Sequence, residues 1–208
     1  MKVNVRLFNH LAVRVRDPDK EQAIRDKALD MIVELGFDGL SMQKLGRAAG
    51  VSPATIYIYF KNRDDLILSL WREEARKMAD STLAGFDPAM SFSEGLRVQW
   101  INRARYFMEH PRRMHFMEQM RFSPFHSREN PRHSRFADAM CSFVEGCIAR
   151  GELNRMPIEV YWAIAFAPLY QLVKFHMHGR GVPGTGPFAL DEKILDQTLG
   201  LVLKALTP

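Results

Sequence analysis

The residues with the clearest capacity for chemistry form a basic segment near the start of the chain. Between Gly39 and Arg63 there is no acidic residue, whereas Lys44, Arg47, Lys61 and Arg63 are all positively charged. Such side chains bind phosphate groups, and the tyrosine and threonine hydroxyls between them can donate hydrogen bonds to phosphate oxygens. The segment therefore predicts a contact with nucleic acid, with which the net charge of +5 is compatible.

Two short helices and a tight turn are expected to position these residues. Ser41 and Ser52 are suitable N-caps, and Gly50 supplies the backbone freedom of a turn, so that residues 38–60 have the proportions of a helix-turn-helix. Because successive residues rotate by about 100° around a helix, Ile56 and Phe60 point inward. The outward face of the second helix then carries Ala54, Thr55, Ile58 and Tyr59, with Tyr57 at its flank. This uncharged face suits a DNA major groove, where apolar groups meet thymine methyl groups.

Helical periodicity also dominates the rest of the chain and predicts an all-α fold of about nine helices. The first helix begins at Pro18, ends at Gly36 and carries an apolar stripe, which consists of Ile24, Ala28, Met31, Ile32 and Leu35. The predicted organisation is a basic N-terminal arm at 1–16, a helix-turn-helix domain at 17–65, and a second domain at 83–208. A fourth helix is expected to continue to about residue 82 as the connector between the domains. The arm is expected to reach a minor groove beside the major-groove helix, or else to have no role.

The composition excludes several classes of protein. No apolar run approaches the roughly 20 residues that a membrane helix needs, and basic residues interrupt the apolar stretches of the first 16 residues, unlike a secretory signal. Two cysteines imply no disulfide framework, so the chain is expected to be cytoplasmic and without a membrane partner. Neither metal-ligand spacing nor a catalytic triad stands out, and no metal, cofactor or enzymatic activity is predicted.

Several of the helix-turn-helix residues resemble the pattern of the TetR-type (tetracycline-repressor-like) transcriptional regulators at matching spacings. They are Ala28, Leu35, Gly36, Ser41, Leu45, Ala49, Gly50, Val51, Ser52, Thr55, Tyr57, Tyr59, Phe60, Lys61 and Leu66. The resemblance covers about the first third of the chain. Gly46 replaces the usual alanine, Pro53 the commoner glycine, and Arg63 the usual lysine, without breaking the pattern.

The resemblance implies that the partner is a double-stranded DNA operator. The residues expected to contact it are Ser41, Gln43, Lys44, Ser52, Pro53, Ala54, Thr55, Tyr57, Ile58, Tyr59, Lys61 and Arg63. Among these, Thr55, Tyr59 and Arg63 are expected to hold phosphates, and Gln43 to reach a base from the first helix of the motif. The alternative for Tyr57 and Tyr59 is packing within the domain, and for Lys61 a solvated charge.

A cluster of phenylalanine and methionine between residues 107 and 125 forms either ordinary core or the wall of a ligand pocket. In TetR-type proteins this region surrounds a small-molecule effector, and the resemblance implies contacts from Trp100, Arg105, Phe107, Met117, Met120, Arg121, Phe122, Phe166 and Tyr170. Nine arginines lie between residues 97 and 135. Most are expected on solvated faces, but one that points inward would bind an anion. The expected effector is therefore small and largely apolar with an anionic end, held first by Arg121 and second by Arg105.

The last two helices carry apolar stripes that, by resemblance, pair with their copies as a four-helix bundle. The predicted interface residues of this homodimer are Trp162, Leu169, Val173, Ile194, Leu199, Val202 and Leu206. The sequence thus predicts a repressor that an effector releases from a palindromic operator. Two other hypotheses stay open: a DNA-binding regulator whose C-terminal domain binds a protein partner, and an α-helical enzyme with a coincidental helix-turn-helix.

Overall fold

The computed structural model describes residues 17–126 and 134–208, and the predicted all-α fold is confirmed within them. The described helices are α1 (Pro18–Gly39), α2 (Met42–Ala48), α3 (Pro53–Tyr59), α4 (Arg63–Thr82), α5 (Phe92–Glu109), α6 (Pro111–Arg121), α7 (Arg135–Ala149), α8 (Ile158–His178) and α9 (Glu192–Leu206). The predicted N-terminal arm at 1–16 lies outside the described residues. None of the helices in the described parts is long and apolar enough to cross a membrane.

The chain divides into two compact units, Met1–Leu66 and Ile67–Pro208. The first unit, of which residues 17–66 are described, contains α1, α2 and α3. It ends one residue beyond the predicted end of the helix-turn-helix domain at residue 65. The division falls within α4, so that the part of α4 from Ile67 onward belongs to the second unit, and the expected role of α4 as a connector stays a prediction.

Local capping signals set the beginning of α1, and a glycine ends its regular part. The Asp17 side chain accepts hydrogen bonds from the backbone N–H groups of Asp19 and Lys20, and Pro18 takes the first helical position. Gly36 has φ 69° and ψ 178°, a conformation that favours glycine, and it interrupts the helix where the sequence predicts a stop. Leu35, which precedes this break, is 59% exposed and is therefore corrected from the predicted apolar stripe.

The core of the second unit lies between α5, α7, α8 and α9. Its fully buried aromatic residues are Phe92, Trp100, Phe143 and Phe166. A capping box begins α5, since the Ser91 and Glu94 side chains accept hydrogen bonds from each other's backbone N–H groups. Helix α8 runs unbroken through Pro168, although a proline inside a helix removes one backbone hydrogen bond. Helix α6 adds Met114 to this core, and α8 packs against both α5 and α9.

The structure corrects most of the predicted dimer interface. The interface residues that it buries in the core of the protomer are Leu169, Val173, Leu199, Val202 and Leu206. The periodicity identified the most apolar stripes, but those stripes pack inside the protomer, mainly against α5 and each other. Ile194 is half-buried, and Trp162, also half-buried, lines a cavity. A side chain that is buried in its own protomer cannot offer its surface to a second copy.

Candidate nucleic-acid interface and ligand cavity

The helix-turn-helix is built on two serine caps. The Ser41 hydroxyl accepts a hydrogen bond from the backbone N–H of Lys44 at 3.2 Å, which begins α2. The Ser52 hydroxyl accepts one from the backbone N–H of Thr55 at 3.2 Å and lies 2.9 Å from the Thr55 hydroxyl, which begins α3. Both hydroxyls therefore cap helix N-termini, where free N–H groups and the helix dipole also favour a phosphate.

Three buried side chains hold α2 and α3 together. Leu45, Ile56 and Phe60 are buried, as the periodicity predicts, in contacts among α1, α2 and α3. The Arg25 guanidinium lies 5.0 Å from the centre of the Phe60 ring. These contacts fix the direction of α3 and decide which of its side chains face solvent.

Every predicted DNA-contacting residue retains exposed surface in the described unit. The exposed ones are Gln43, Lys44, Ser52, Pro53, Ala54, Tyr57 and Lys61, and the half-buried ones are Ser41, Thr55, Ile58, Tyr59 and Arg63. Tyr57 is 53% exposed, which disfavours the packing alternative for this residue. Arg47 is also exposed on α2 and adds a positive charge that the predicted contact set omits. The structure thus brings the acid-free segment together as an accessible surface.

A close approach between α2 and α3 explains why Gly46 is tolerated. A Cβ atom at Gly46 would lie 2.8 Å from the carbonyl oxygen of Val51 and 3.3 Å from Cδ of Pro53. The turn therefore occupies the space that an alanine side chain would need. Two of the three departures from the family pattern, Gly46 and Pro53, lie next to each other, and the small residue accommodates the turn that carries the proline ring.

The Tyr59 hydroxyl has a role within the unit that leaves its proton free for another acceptor. The hydroxyl oxygen accepts a hydrogen bond from the backbone N–H of Asp17 at 3.1 Å, which connects α3 to the start of α1. The O–H can still donate, because a hydroxyl combines one donor with two acceptor sites. The expected phosphate contact of Tyr59 is compatible with this arrangement and stays a prediction.

Arg63 has a structural role that the sequence did not reveal. Its Nε donates to the carbonyl oxygen of Leu40 at 2.9 Å, and its Nη2 donates to the carbonyl oxygen of Phe37. Its Nη1 lies 3.8 Å from a carboxylate oxygen of Asp64. The guanidinium thereby connects the start of α4 to the junction between α1 and α2. Its expected phosphate contact stays a prediction, now beside this structural role.

A cavity of about 280 Å³ lies in the second unit. It is lined by Met78, Phe107, Met114, Met117, Glu118, Arg121, Phe122, Trp162, Ala167, Tyr170, Gln171 and Lys174. Five of the predicted ligand contacts, Phe107, Met117, Arg121, Phe122 and Tyr170, are therefore among its walls. Glu118 and Lys174 pair with each other at this wall.

The other predicted ligand contacts do not line this cavity. Trp100 is buried and donates its indole N–H to the carbonyl oxygen of Ala165 at 2.8 Å. Met120 and Phe166 are fully buried, and Arg105 is exposed. Arg121, the expected anchor, is exposed at the cavity edge, where water already solvates its charge.

The inward-pointing arginine is Arg103, which the sequence analysis did not single out. It is fully buried on α5, and its Nη1 donates to the Tyr170 hydroxyl at 2.7 Å. Tyr170 and Trp162 both line the cavity and both contact Arg103. Trp100 and Phe107, three residues before and four residues after Arg103 on the same helix, were available signals that this face of α5 is buried.

Comparisons with known proteins agree with this geometry. Residues 24–70 match the family described as bacterial regulatory proteins, tetR family. The fatty acid metabolism regulator protein of Bacillus subtilis is 40% identical over 55 residues, which are 26% of this chain and 28% of that protein. The regulator BetI of Rhizobium meliloti is 22% identical over 195 residues, which cover 79% of this chain and 93% of that protein. The chain thus matches the first of these two relatives over less than a third of that protein's length.

The likeness to solved structures extends over both units. The crystal structure of a TetR family transcription regulator from Marinobacter aquaeolei VT8 has 25% sequence identity and a TM-score of 0.78, and the match covers 93% of this chain and 98% of that chain. Together, the helix-turn-helix and the helical C-terminal unit define a DNA-binding transcriptional regulator. The chain is therefore similar to the TetR family regulators, by sequence over residues 24–70 and by fold over most of its length.

Proposed function

We propose that this regulator is a homodimeric repressor that binds a palindromic operator and is released from it by a small molecule in the C-terminal unit. The observation that carries the proposal is the accessible, uncharged outer face of α3, with basic residues beside it on α2 and after α3. In a helix-turn-helix, the second helix lies in the major groove and the flanking groups hold the phosphates. Repression then follows from occupation of the operator, in the cytoplasm where the DNA lies.

The DNA-binding part is tested by selecting binding sites from genomic fragments with the purified protein. We expect enrichment of a palindromic sequence, with an affinity that falls by orders of magnitude between about 50 and 200 mM salt. Ala54→Glu is a suitable negative control, because Ala54 is exposed and the new charge would repel phosphates without disturbing the core. Failure to enrich any sequence, or unchanged binding by Ala54→Glu, would refute the major-groove assignment.

The cavity favours a small-molecule effector over a protein partner as the signal. It is lined mainly by apolar and aromatic side chains, with a few polar groups that can orient a ligand. Such walls suit a buried small molecule, whereas a protein partner needs an extended surface. Melting-temperature shifts across a library of hydrophobic compounds test this, and compounds that stabilise the protein should weaken its binding to the operator. Stabilisation by a protein partner alone would favour the alternative hypothesis.

We propose that a second copy covers outward-facing parts of α8 and α9. Leu201 is 61% exposed on α9, and Ala205, one turn later, is also exposed. On α8, Val160, Ala163 and Ala167 are exposed. Small side chains allow helices to approach closely, and a two-fold dimer would place two recognition helices on a palindrome. The proposed interface thus uses the faces opposite the stripes that the sequence suggested.

Two variants of neighbouring residues on α9 test this dimer. Leu201→Glu should produce a folded monomer with weak operator binding, because an exposed leucine becomes a charge inside the interface. Val202→Glu should instead unfold the C-terminal unit, since Val202 belongs to the protomer core. Sedimentation velocity and circular dichroism distinguish the two results. A monomeric wild-type protein at micromolar concentration would refute the proposal.

A further inference from the structure

A buried guanidinium in the C-terminal unit lacks a carboxylate partner among the residues that the structure describes. Arg103 is 0% exposed, and its Nη1 donates to the hydroxyl of Tyr170. Its Nε and Nη2 have no hydrogen-bond acceptor within residues 17–126 and 134–208. A buried charge is strongly unfavourable unless hydrogen bonds and a counterion compensate for the lost water. The arrangement therefore needs an explanation beyond packing.

The two unsatisfied nitrogens lie along one edge of the guanidinium. The N–H of Nε and one N–H of Nη2 point in the same direction, and this pair forms two parallel hydrogen bonds with a carboxylate in bidentate ion pairs. On the other side of the guanidinium, Nη1 donates a hydrogen bond to the Tyr170 hydroxyl. This hydroxyl can thus hold the guanidinium in position while the bidentate edge stays available to a ligand.

Aromatic rings surround the same guanidinium. Its Cζ lies 4.4 Å from the ring centre of Phe166, 5.3 Å from that of Trp162 and 5.4 Å from that of Phe136. These cation–π contacts offset part of the cost of burial. Ring faces do not accept the in-plane N–H bonds of Nε and Nη2, however, so the surroundings are apolar walls around a directional donor pair.

Two further buried polar groups belong to these helices. Gln99, one turn before Arg103 on α5, has no partner in the described residues for its amide nitrogen or its amide oxygen, and neither has the hydroxyl of Tyr161 on α8. Burial raises the pKa of the Tyr161 hydroxyl, and the positive charge of Arg103 acts in the opposite direction. Native cores rarely concentrate unsatisfied polar atoms in this way, and functional sites are a usual exception.

The cavity adjoins this group. Tyr170, Trp162 and Met78 line the cavity and contact Arg103, the last through its sulfur at 3.7 Å from Nη1. These side chains stand between the cavity and the guanidinium. We expect at least one of them to change rotamer when a ligand reaches Arg103, as in a pocket that a ligand opens.

We propose that Arg103 is the anion-binding residue of the effector site and pairs through Nε and Nη2 with the carboxylate of a largely apolar monoanion. The proposal rests on the effector-responsive function given above and names the chemical class of that effector. A single guanidinium within aromatic walls matches one negative charge on an apolar body. The exposed Arg121 and Arg105, which the sequence favoured, gain less from a counterion because water already solvates them.

Direct binding of matched probes, without DNA, tests the proposal. Isothermal titration calorimetry would compare decanoate, decanamide and decylamine, and also 3-phenylpropanoate with its amide. We expect at least one acid to bind and to bind about ten- to one-hundredfold more tightly than its amide, as the loss of charge-assisted hydrogen bonds predicts. Arg103→Met should bind acid and amide alike, and Arg103→Lys, which keeps the charge without the bidentate edge, should lie between.

Controls separate this role from a purely structural one. Arg121→Met changes an exposed arginine at the cavity edge and should retain the preference for the acid. In the absence of ligand, Arg103→Met should melt at or above the wild-type temperature, because it removes a buried charge without a counterion. A structural cation would instead lower the melting temperature when it is replaced.

Three results would overturn the proposal: equal affinity of wild-type protein for acid and amide, no binding of either acid, or an acid preference that survives in Arg103→Met. A different result concerns the proposed function alone. If decanoate binds through Arg103 but does not release the protein from operator DNA, the anion site stands and the effector-controlled release fails.

Discussion

Replacement of Arg63 by alanine separates a structural role from a phosphate contact. The guanidinium donates to the carbonyl oxygens of Leu40 and Phe37, and so connects the start of α4 to the junction between α1 and α2. Lys61, two residues earlier, is exposed and provides the matched control, because Lys61→Ala removes the same charge from the same basic segment.

The expected loss of stability follows from the two carbonyl contacts. A hydrogen bond with a charged donor contributes about 1.5–3 kcal/mol, which gives an upper value of about 3–6 kcal/mol for two. The Arg63 side chain is 31% exposed, so solvent screening reduces this value, and its 3.8 Å pair with Asp64 adds little. We expect Arg63→Ala to lower the free energy of unfolding by about 2–3 kcal/mol, a large part of a typical domain's stability.

Urea unfolding followed by circular dichroism measures this loss, and DNA affinity is then measured at a temperature where both variants are folded. Lys61→Ala should unfold like the wild type within about 0.5 kcal/mol, as surface substitutions usually do. An unchanged unfolding midpoint for Arg63→Ala, together with a large loss of DNA affinity, would refute the structural role. That result would leave the phosphate contact as the main role of Arg63.

Three other substitutions or reactions have definite expected results. Gly46→Ala should lower the free energy of unfolding by about 1 kcal/mol, because the new Cβ would lie 2.8 Å from the carbonyl oxygen of Val51. This steric cost should exceed the gain from the better helix propensity of alanine, and a more stable variant would contradict the prediction. Gln43→Ala should relax the selected DNA sequence at one or two base pairs, at about 1–3 kcal/mol per lost base contact, and an unchanged selected sequence would exclude base reading. Burial raises the pKa of the Cys147 thiol to about 11, so that at pH 8 only about one Cys147 thiol in a thousand is ionised. The exposed Cys141 should therefore react with a maleimide before Cys147 does, which mass spectrometry of the labelled protein measures.

The DNA-binding motif could be predicted because its signals are local. Asp17, Ser41 and Ser52 cap their helices through hydrogen bonds to residues two or three positions away, and Gly36 interrupts α1 through its own backbone conformation. The burial of Ile56 and Phe60 follows from their spacing on one short helix. Such features depend on neighbours in the chain, so the sequence alone determines them.

The surfaces of α8 and α9 could not be assigned in the same way. Both helices are apolar on more than one side, and periodicity identifies a stripe without naming the partner that covers it. The structure places Leu169, Val202 and Leu206 in the core of the protomer and leaves Leu201 exposed. Which side of α8 and α9 is buried depends on packing against helix α5, which is about sixty or more residues away from these side chains in the chain.

The proposed anion-binding residue, Arg103, is the clearest case in which the sequence does not show which side chain is buried. Nine arginines lie between residues 97 and 135. Trp100, one turn before Arg103, indicates a buried face of α5 but does not show that the guanidinium itself is enclosed. Its burial comes from Phe166, Trp162 and Tyr170 on α8, roughly sixty residues later in the chain. The sequence determined the helix-turn-helix and the accessible outer face of α3 through local chemistry. Only the tertiary structure decided which arginine is buried, because the desolvation of a charged group depends on residues that are distant in sequence and close in space.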